Sequence, residues 1–185
     1  MKRLKESLEN APVIMKGDYP YFIHPLTDGI PEIDPAVLKD AVNEIIRLVD
    51  IDSFDKILTV EAMGLPIGVA LSMVVDKPMT VIRKRPYGLP GEVEVSQKTG
   101  YSSGKLYINS VGPEDTLLLV DDVLSTGGTM VAVVDGIRRI GAKISDIVVI
   151  VNKNRNIEEI ERKVNMKIKT LVNIEIKDGR VHIID

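Results

Sequence analysis

The sequence predicts an α/β protein built on a parallel sheet, and three features predict it. Short β-rich runs at 56–60, 79–83, 116–120 and 147–151 alternate with helical periodicity at 35–49, 65–75, 129–141 and 157–164. Two of the runs, Thr116 to Val120 and Ile147 to Val151, are almost continuously apolar, as strands are when both faces of a parallel sheet are covered. The chain ends in two alternating segments, 172–176 and 180–184, about Asp178-Gly179, which signals a C-terminal β-hairpin. In such sheets ligands bind at the carboxyl ends of the strands.

Asp34 followed by Pro35 supplies an N-cap acceptor and a proline at the first helical position. Val37, Leu38, Ala41, Val42, Ile45, Leu48 and Val49 then recur on one face, so an amphipathic helix spans about 35–49. Lys56 to Val60 reads as a strand, Glu61-Ala62-Met63-Gly64 as a tight turn, and Leu65 to Val75 as a helix of apolar and small residues. After a strand at 79–83, the segment from Arg85 to Gly104 is rich in Gly, Pro, Ser and Thr with little periodicity, and reads as one long loop. After the strand at 116–120 and a loop at 121–128, a helix from about Thr129 ends at Gly141, a C′ glycine preceded by Arg138 and Arg139. The proline-rich piece from Tyr19 to Pro35 precedes the first core strand and is expected to form a flap, about 19–34, on a single domain spanning 1–185.

Composition narrows the function. With 24 basic and 27 acidic residues the net charge is −3, and no Lys/Arg block exceeds three residues, so a nucleic-acid partner is not expected. The absence of cysteine excludes disulfides, zinc thiolates and a cysteine nucleophile. With two histidines a multi-histidine metal centre is not expected either, so any metal should be oxygen-bound and Mg²⁺-like. The N-terminus shows no apolar signal region and no apolar run approaches a membrane span, so no membrane association is expected and the protein reads as cytoplasmic.

The chemistry concentrates in Leu117-Leu118-Leu119-Val120-Asp121-Asp122-Val123-Leu124-Ser125-Thr126-Gly127-Gly128-Thr129. Ser125, Thr126, Gly127, Gly128 and Thr129 sit where a helix begins, so free N–H groups, hydroxyls and the positive end of the helix dipole can surround a phosphate. The glycines let the backbone approach closely, and a valine at 127 is expected to occupy phosphate space. Asp121 and Asp122, a few residues earlier, suit the vicinal hydroxyls of a ribose. Phosphate and diol together describe a ribose 5-phosphate. The segment is neither a Walker A loop, since no Gly-Lys-Ser/Thr follows, nor a dinucleotide fingerprint.

This motif resembles the 5-phosphoribosyl 1-pyrophosphate (PRPP) signature of type I phosphoribosyltransferases. The chain over roughly 20–151 is similar to the adenine branch and to the archaeal hypoxanthine/guanine enzymes close to it. The resemblance implies that fold, with its N-terminal flap and C-terminal hairpin. It implies purine salvage: transfer of 5-phosphoribosyl from PRPP to hypoxanthine or guanine, giving IMP or GMP and pyrophosphate, with Mg²⁺ held mainly by the substrate and a homodimeric assembly. Adenine as the acceptor, a PRPP-binding regulator on the same fold, and orotate or another pyrimidine as the acceptor, against which only the flap and lid resemblance argues, are the alternatives.

The resemblance also assigns residues. Glu61, Ala62, Met63 and Gly64 fall where the family places its pyrophosphate loop, a tight loop often holding a non-proline cis peptide, although ordinary strand-to-helix turns look the same. Met63 replaces the arginine usual in the adenine branch. Arg83 and Lys84, with Leu89-Pro90-Gly91 after them, match the start of the mobile lid, about 84–104, and would relieve charge on the leaving pyrophosphate. Tyr101 matches a lid tyrosine, while Gly100 stands where adenine enzymes often carry a glutamate. Phe22 and Ile23 fall in the place of the family's purine-facing flap, where an aromatic and an aliphatic side chain can sandwich the base; a prolyl loop packed on the core is the equal alternative. No side chain near them is an evident donor or acceptor, so the base should be read by backbone. His24 reads as structural. Asp121, Asp122 and Arg83 are the expected catalytic residues.

Overall fold

The computed structural model describes residues 1–98 and 103–184. Helix α1 (Lys2–Glu9) opens the chain, followed by a hairpin of β1 (Val13–Lys16) and β2 (Tyr19–Phe22), the short α2 (Pro25–Asp28) and the long α3 (Pro35–Leu48). Next come β3 (Lys56–Val60), α4 (Gly64–Val75), β4 (Met79–Ile82), β5 (Val93–Lys98) and β6 (Ser103–Ile108). The chain closes with β7 (Thr116–Leu124), α5 (Gly128–Ile140), β8 (Lys143–Asn152), α6 (Ile157–Val164), β9 (Ile168–Lys177) and β10 (Arg180–Ile184).

Six strands form the central sheet in the order β10-β9-β8-β7-β3-β4, parallel throughout except for the β10–β9 hairpin. The two-residue period of β7 divides the core. Leu118 and Val120 face one cluster with α1, α3, α4 and the flap, while Leu117 and Leu119 face a second with α5, α6 and the β5–β6 ribbon. That double burial is why the strand is apolar without alternation.

The expected helices and core strands are present. Asp34 caps α3, its Oδ1 accepting from Ala36 N at 2.7 Å, and Gly141 ends α5 in the left-handed region at φ 91. Three expectations are corrected. The segment 85–104 is not one loop, because β5 and β6 pair as an antiparallel ribbon on α5. There Val95 Cγ1 and Ile108 Cδ1 lie within 2.4 and 2.8 Å of where a Cβ on Gly136 would stand, so only glycine admits the ribbon so close. Strand β7 continues through Asp121 and Asp122 to Leu124, shortening the expected 121–128 loop to three residues. The flap begins earlier than residue 19, since β1 pairs with β2 about a Gly17-Asp18 turn with Gly17 at φ 62.

Helix α1 was not legible as an element, yet its Leu4 and Leu8, one turn apart, are fully buried. Asp40 of α3 caps its start, accepting from Arg3 N at 2.8 Å. The same helix locks the flap, with Ser7 Oγ 2.5 Å from Nε2 of His24, whose Nδ1 accepts from Leu26 N at 3.2 Å. His24 is therefore the N-cap of α2, in agreement with its structural reading.

Burial pushes the His24 imidazole down to about 4 from its ordinary 6.5, with Asp28 opposing the shift. The folded state thus favours the neutral ring. Its contribution is complete above pH 6.5 and is lost as pH falls from 6.5 toward about 4, where the unfolded chain takes up a proton that the folded one refuses. Comparison with His24→Asn, which keeps an N-cap acceptor, isolates this term. The stability advantage of wild type over the variant, from denaturant unfolding, should shrink by about 3 kcal/mol between pH 7.5 and pH 4; a constant difference would contradict it.

Candidate active site

The site grows out of the end of β7. Leu124 closes the strand, and Gly127, in the left-handed region at φ 77, turns the chain into α5. The N–H groups of the first turn, Gly128 to Met130, have no intrahelical acceptor and point toward the loop together with the hydroxyls of Ser125, Thr126 and Thr129. The need for glycine at 127 is set by its φ and by packing. An added Cβ would meet Ile160 Cδ1 of α6 at 2.4 Å, so a side chain here displaces the loop from α6 instead of filling phosphate space as expected.

Asp121 and Asp122 occupy the last turns of β7, and Asp121 Oδ1 accepts from Asp122 N at 3.0 Å. Burial pushes both carboxyls up. Asp122 is raised further by the charge of Asp121, and Asp28 of the flap adds to the effect. Hydrogen bonds from Asp122 and the nearby charge of Lys84 counter the rise at Asp121. Two carboxyls raised together in this way are disposed to accept from hydroxyls or to meet a cation.

Beside it, the Glu61–Ala62 peptide is cis, as the resemblance implied, and Gly64 opens α4. A Cβ on Gly64 would stand 3.7 Å from Asp121 Oδ1 and 3.0 Å from Thr59 Cβ, so this loop lies directly against the acidic pair. The Glu61 carboxylate is engaged with the residues that end β4. Its Oε2 lies 3.0 Å from Arg83 Nε and its Oε1 accepts from Lys84 N, so the carboxylate holds the two cationic residues at the end of β4. Arg83 Nε has no partner of hydrogen-bond geometry, so the contact with Glu61 is charge attraction. Arg83 also pairs by backbone with Tyr107 of β6, and its guanidinium lies 5.8 Å from the Tyr87 ring. Glu92 fastens the following loop, accepting from Tyr87 N and Asn109 Nδ2, each at 2.8 Å.

A cavity of about 450 Å³ lies over the cradle. Asp121, Ser125, Thr126, Gly127 and Thr129 line it, together with Val123, Leu124 and Met130. The opposite wall is the flap, contributing Lys16, Tyr19 and Tyr21. Gly128 faces a neighbouring groove, and Glu61 to Gly64, Arg83 and Lys84 border the acidic pair without lining the cavity. Phe22 does not line it either: its ring is 3% exposed and packs in the core, because β2 directs Tyr19 and Tyr21 to one face and Phe22 to the other. Ile23 is half-buried and bonds Pro12 O through its N–H. Tyr101 lies outside the described residues.

Sequence reasoning missed Lys16, Tyr19, Tyr21 and Lys153. Lys16 Nζ lies 3.4 Å from the Tyr21 ring centroid, and Lys153 Nζ, at the end of β8, lies 4.4 Å from that of Tyr19 and 5.6 Å from that of Phe22. The expectation that no donor side chain stands near Phe22 is therefore overturned. The missed signal was the two-residue period of Tyr19-Pro20-Tyr21-Phe22 after the Gly17-Asp18 turn. Lys153 carried no such signal, since the fold alone brings it across from β8. Three asparagines fix its loop: Asn152 Nδ2 donates to Asn173 Oδ1 at 2.9 Å, Asn152 Oδ1 accepts from Asn154 N at 2.9 Å, and Asn154 Nδ2 donates to Ser125 O at 2.5 Å.

The phosphoribosyl transferase domain family matches residues 33–179. The hypoxanthine/guanine phosphoribosyltransferase of Aciduliprofundum boonei is 80% identical over 185 residues, the whole of both chains. That of Ferroglobus placidus is 52% identical over 185 residues, all of this chain and 98% of its own. The similarity thus runs well past the expected 20–151. Among solved structures, the Giardia lamblia APRTase complexed with 9-deazaadenine superposes with a TM-score of 0.77 at 19% identity, covering 94% of this chain and 98% of that one. The adenine phosphoribosyltransferase of Thermoanaerobacter pseudethanolicus gives 0.74 at 20%, covering 92% and 99%. At such identities the likeness establishes the type I phosphoribosyltransferase fold alone.

The buried acidic pair costs stability. A carboxyl raised in the folded state contributes fully below its ordinary 3.8, and the contribution is lost as pH rises. Asp122→Asn removes one charge from the pair, so its melting temperature should match wild type near pH 4 and exceed it by about 2 °C or more at pH 8. A variant less stable than wild type at pH 8 would refute the electrostatic account.

Proposed function

This chain belongs to the phosphoribosyl transferase domain family, and on that premise we propose that it serves purine salvage, transferring 5-phosphoribosyl from PRPP to hypoxanthine or guanine to give IMP or GMP and pyrophosphate. The observation that carries the reading is the convergence, around one cavity, of a helix-N-terminal cradle, the strand-end carboxylate of Asp121 with Asp122 beside it, and an aromatic flap that brings Lys16 to the lining and holds Tyr19 under Lys153.

Each part has a task. The cradle from Ser125 to Thr129 holds the 5-phosphate, and Asp121 and Asp122 accept from the ribose hydroxyls. As the C1′–O bond to pyrophosphate lengthens, the ribose gains positive charge, and the acidic pair becomes its electrostatic complement. Arg83 and Lys84, held by Glu61, offset charge on the departing pyrophosphate. The Glu61–Gly64 loop offers backbone in place of a side chain, since Met63 brings no charge. The lid at about 84–104 excludes water from the reacting ribose.

Among the described residues no three His, Asp or Glu side chains converge as a metal site. The acidic pair fits a cation carried in on PRPP. Mg²⁺ bound to the diphosphate and ribose hydroxyls would supply charge neutralisation there. The lysines bear on the choice of base. An ammonium donates only, so Lys16 and Lys153 suit the O6 acceptor of hypoxanthine and guanine and leave the N6 amino group of adenine unmatched. No helix among the described residues is long and apolar enough to cross a membrane; we assign the enzyme to the cytoplasm and to a single domain.

We also assign a homodimer, through α4. Its sequence Gly64 to Val75 has no charged residue, and Val69, Met73 and Val74 are exposed, Met73 by 81%. A helix apolar all round is normally covered on both sides.

With saturating PRPP and Mg²⁺, kcat/KM for hypoxanthine and guanine should exceed that for adenine; adenine preferred by tenfold would move the protein to the adenine class. Asp122→Asn should keep the fold and lower turnover by about one to three decades, and turnover within about threefold of wild type would remove its role. Met73→Asp should halve the mass seen by sedimentation, and an unchanged mass would place the interface elsewhere.

A further inference from the structure

Tyr19 stands where the flap meets the cradle. Its ring lines the cavity, and its hydroxyl lies 3.4 Å from Ser125 Oγ. Lys153 reaches over from β8, its Nζ 4.4 Å from the ring centroid and bonded to the hydroxyl. Lys153 is itself positioned by the asparagine-fastened loop, which ties Ser125 O and Leu124 O to the end of β8. Tyrosine, lysine and phosphate loop therefore form one connected unit.

The reaction leaves a proton to be placed. When N9 of a purine attacks C1′, its lone pair forms the N–C bond, and the C1′–O electrons leave with pyrophosphate. If the base enters with hydrogen on N7, the imidazole ring becomes cationic and must release that hydrogen. Geometry says which side receives it. With the 5-phosphate held at Ser125 to Thr129, a base in the anti orientation turns its N7–C8 edge toward the 5′ side of the ribose, hence toward the wall beside Ser125. Tyr19, at the edge of the flap, closes that side, its hydroxyl 3.4 Å from Ser125 Oγ.

The other titratable groups in and around the site are unsuited. Lys16 and Lys153 are cations, and Asp121 lies at the ribose end. Burial and the Asp28 carboxylate, which accepts from Tyr21 Oη at 2.5 Å, push the Tyr21 phenol up. His24 is spent on Ser7 and Leu26 within the core. Tyr19 moves in the opposite direction: burial raises its phenol, but the bonds from Lys153 and Ser125 and the Lys153 charge outweigh burial and bring it down.

We propose that Tyr19 is the catalytic residue that accepts the proton from the purine N7 as the N9–C1′ bond forms, with Lys153 as the positioning residue that holds it. The inference rests on reading the site as that of a 6-oxopurine phosphoribosyltransferase. In its ionised form, held by Lys153, Tyr19 Oη takes the N7 proton, leaving neutral nucleobase, and then returns it to solvent.

The test is the pH dependence of kcat with hypoxanthine in three proteins. Wild type should show a limb rising with pH, and Tyr19→Phe should lower kcat about 10²-fold and flatten the limb, with KM for PRPP changed by less than about twofold. Replacing Tyr19 by 3-fluorotyrosine, a more acidic phenol of nearly the same shape, should move the limb to lower pH, and Lys153→Met should move it to higher pH. Tyr19→Phe within about threefold of wild type, or a limb unmoved by both other substitutions, as when the purine itself titrates, would overturn the proposal. Failure of wild type to turn over hypoxanthine or guanine would instead sink the functional reading.

Discussion

The end of β7 has to bring together groups that repel one another and groups that attract anions, with only three residues between strand and helix. A strand covered on both faces carries two adjacent carboxylates out of the core, and the chain must turn at once into α5 so that the helix N-terminus opens over the same space. Everything around the site serves this junction. Gly127 supplies the left-handed turn against Ile160, Gly64 brings the neighbouring loop against Asp121, and Asn154 holds the Ser125 carbonyl from the next strand. The rigid sheet fixes where positive and negative charge must lie.

The charge arrangement follows a common logic on both sides of the junction. On the acidic side, burial disfavours Asp121 and Asp122 until a substrate brings hydroxyls or a cation. On the basic side, Glu61 keeps Arg83 and Lys84 in place without filling the cavity. Strain of this kind is local, and the two apolar clusters on either face of the sheet offset it.

Much of this was legible before any coordinates. The alternation of strands and helices, the Asp34-Pro35 start, the Gly141 stop and the acid-rich strand leading into a glycine turn are local patterns with local causes. What escaped was non-local. Helix α1 has only Leu4 and Leu8 as its buried stripe, too few for periodicity to register, and its stability comes from α3 and β10. The β5–β6 ribbon hides in a Gly- and Ser-rich stretch because its inward residues, Val95, Leu106 and Ile108, are few and far apart. Phe22 was assigned to the base because aromaticity was read without face, and Lys153 was invisible because a loop after β8 meets the flap only in three dimensions.

The glycine at 136 ties the two halves of the outer layer to each other. With the ribbon seated in the space its side chain would fill, α5 meets the 125–127 turn at one end and the β5–β6 ribbon along its flank. Residues 95, 108 and 136 therefore form a single steric unit across more than forty positions of chain. In related sequences they should vary as a set, with any enlargement of residue 136 matched by shrinkage at 95 or 108. Drift in the ribbon is thereby constrained by a helix whose N-terminus lies two turns away.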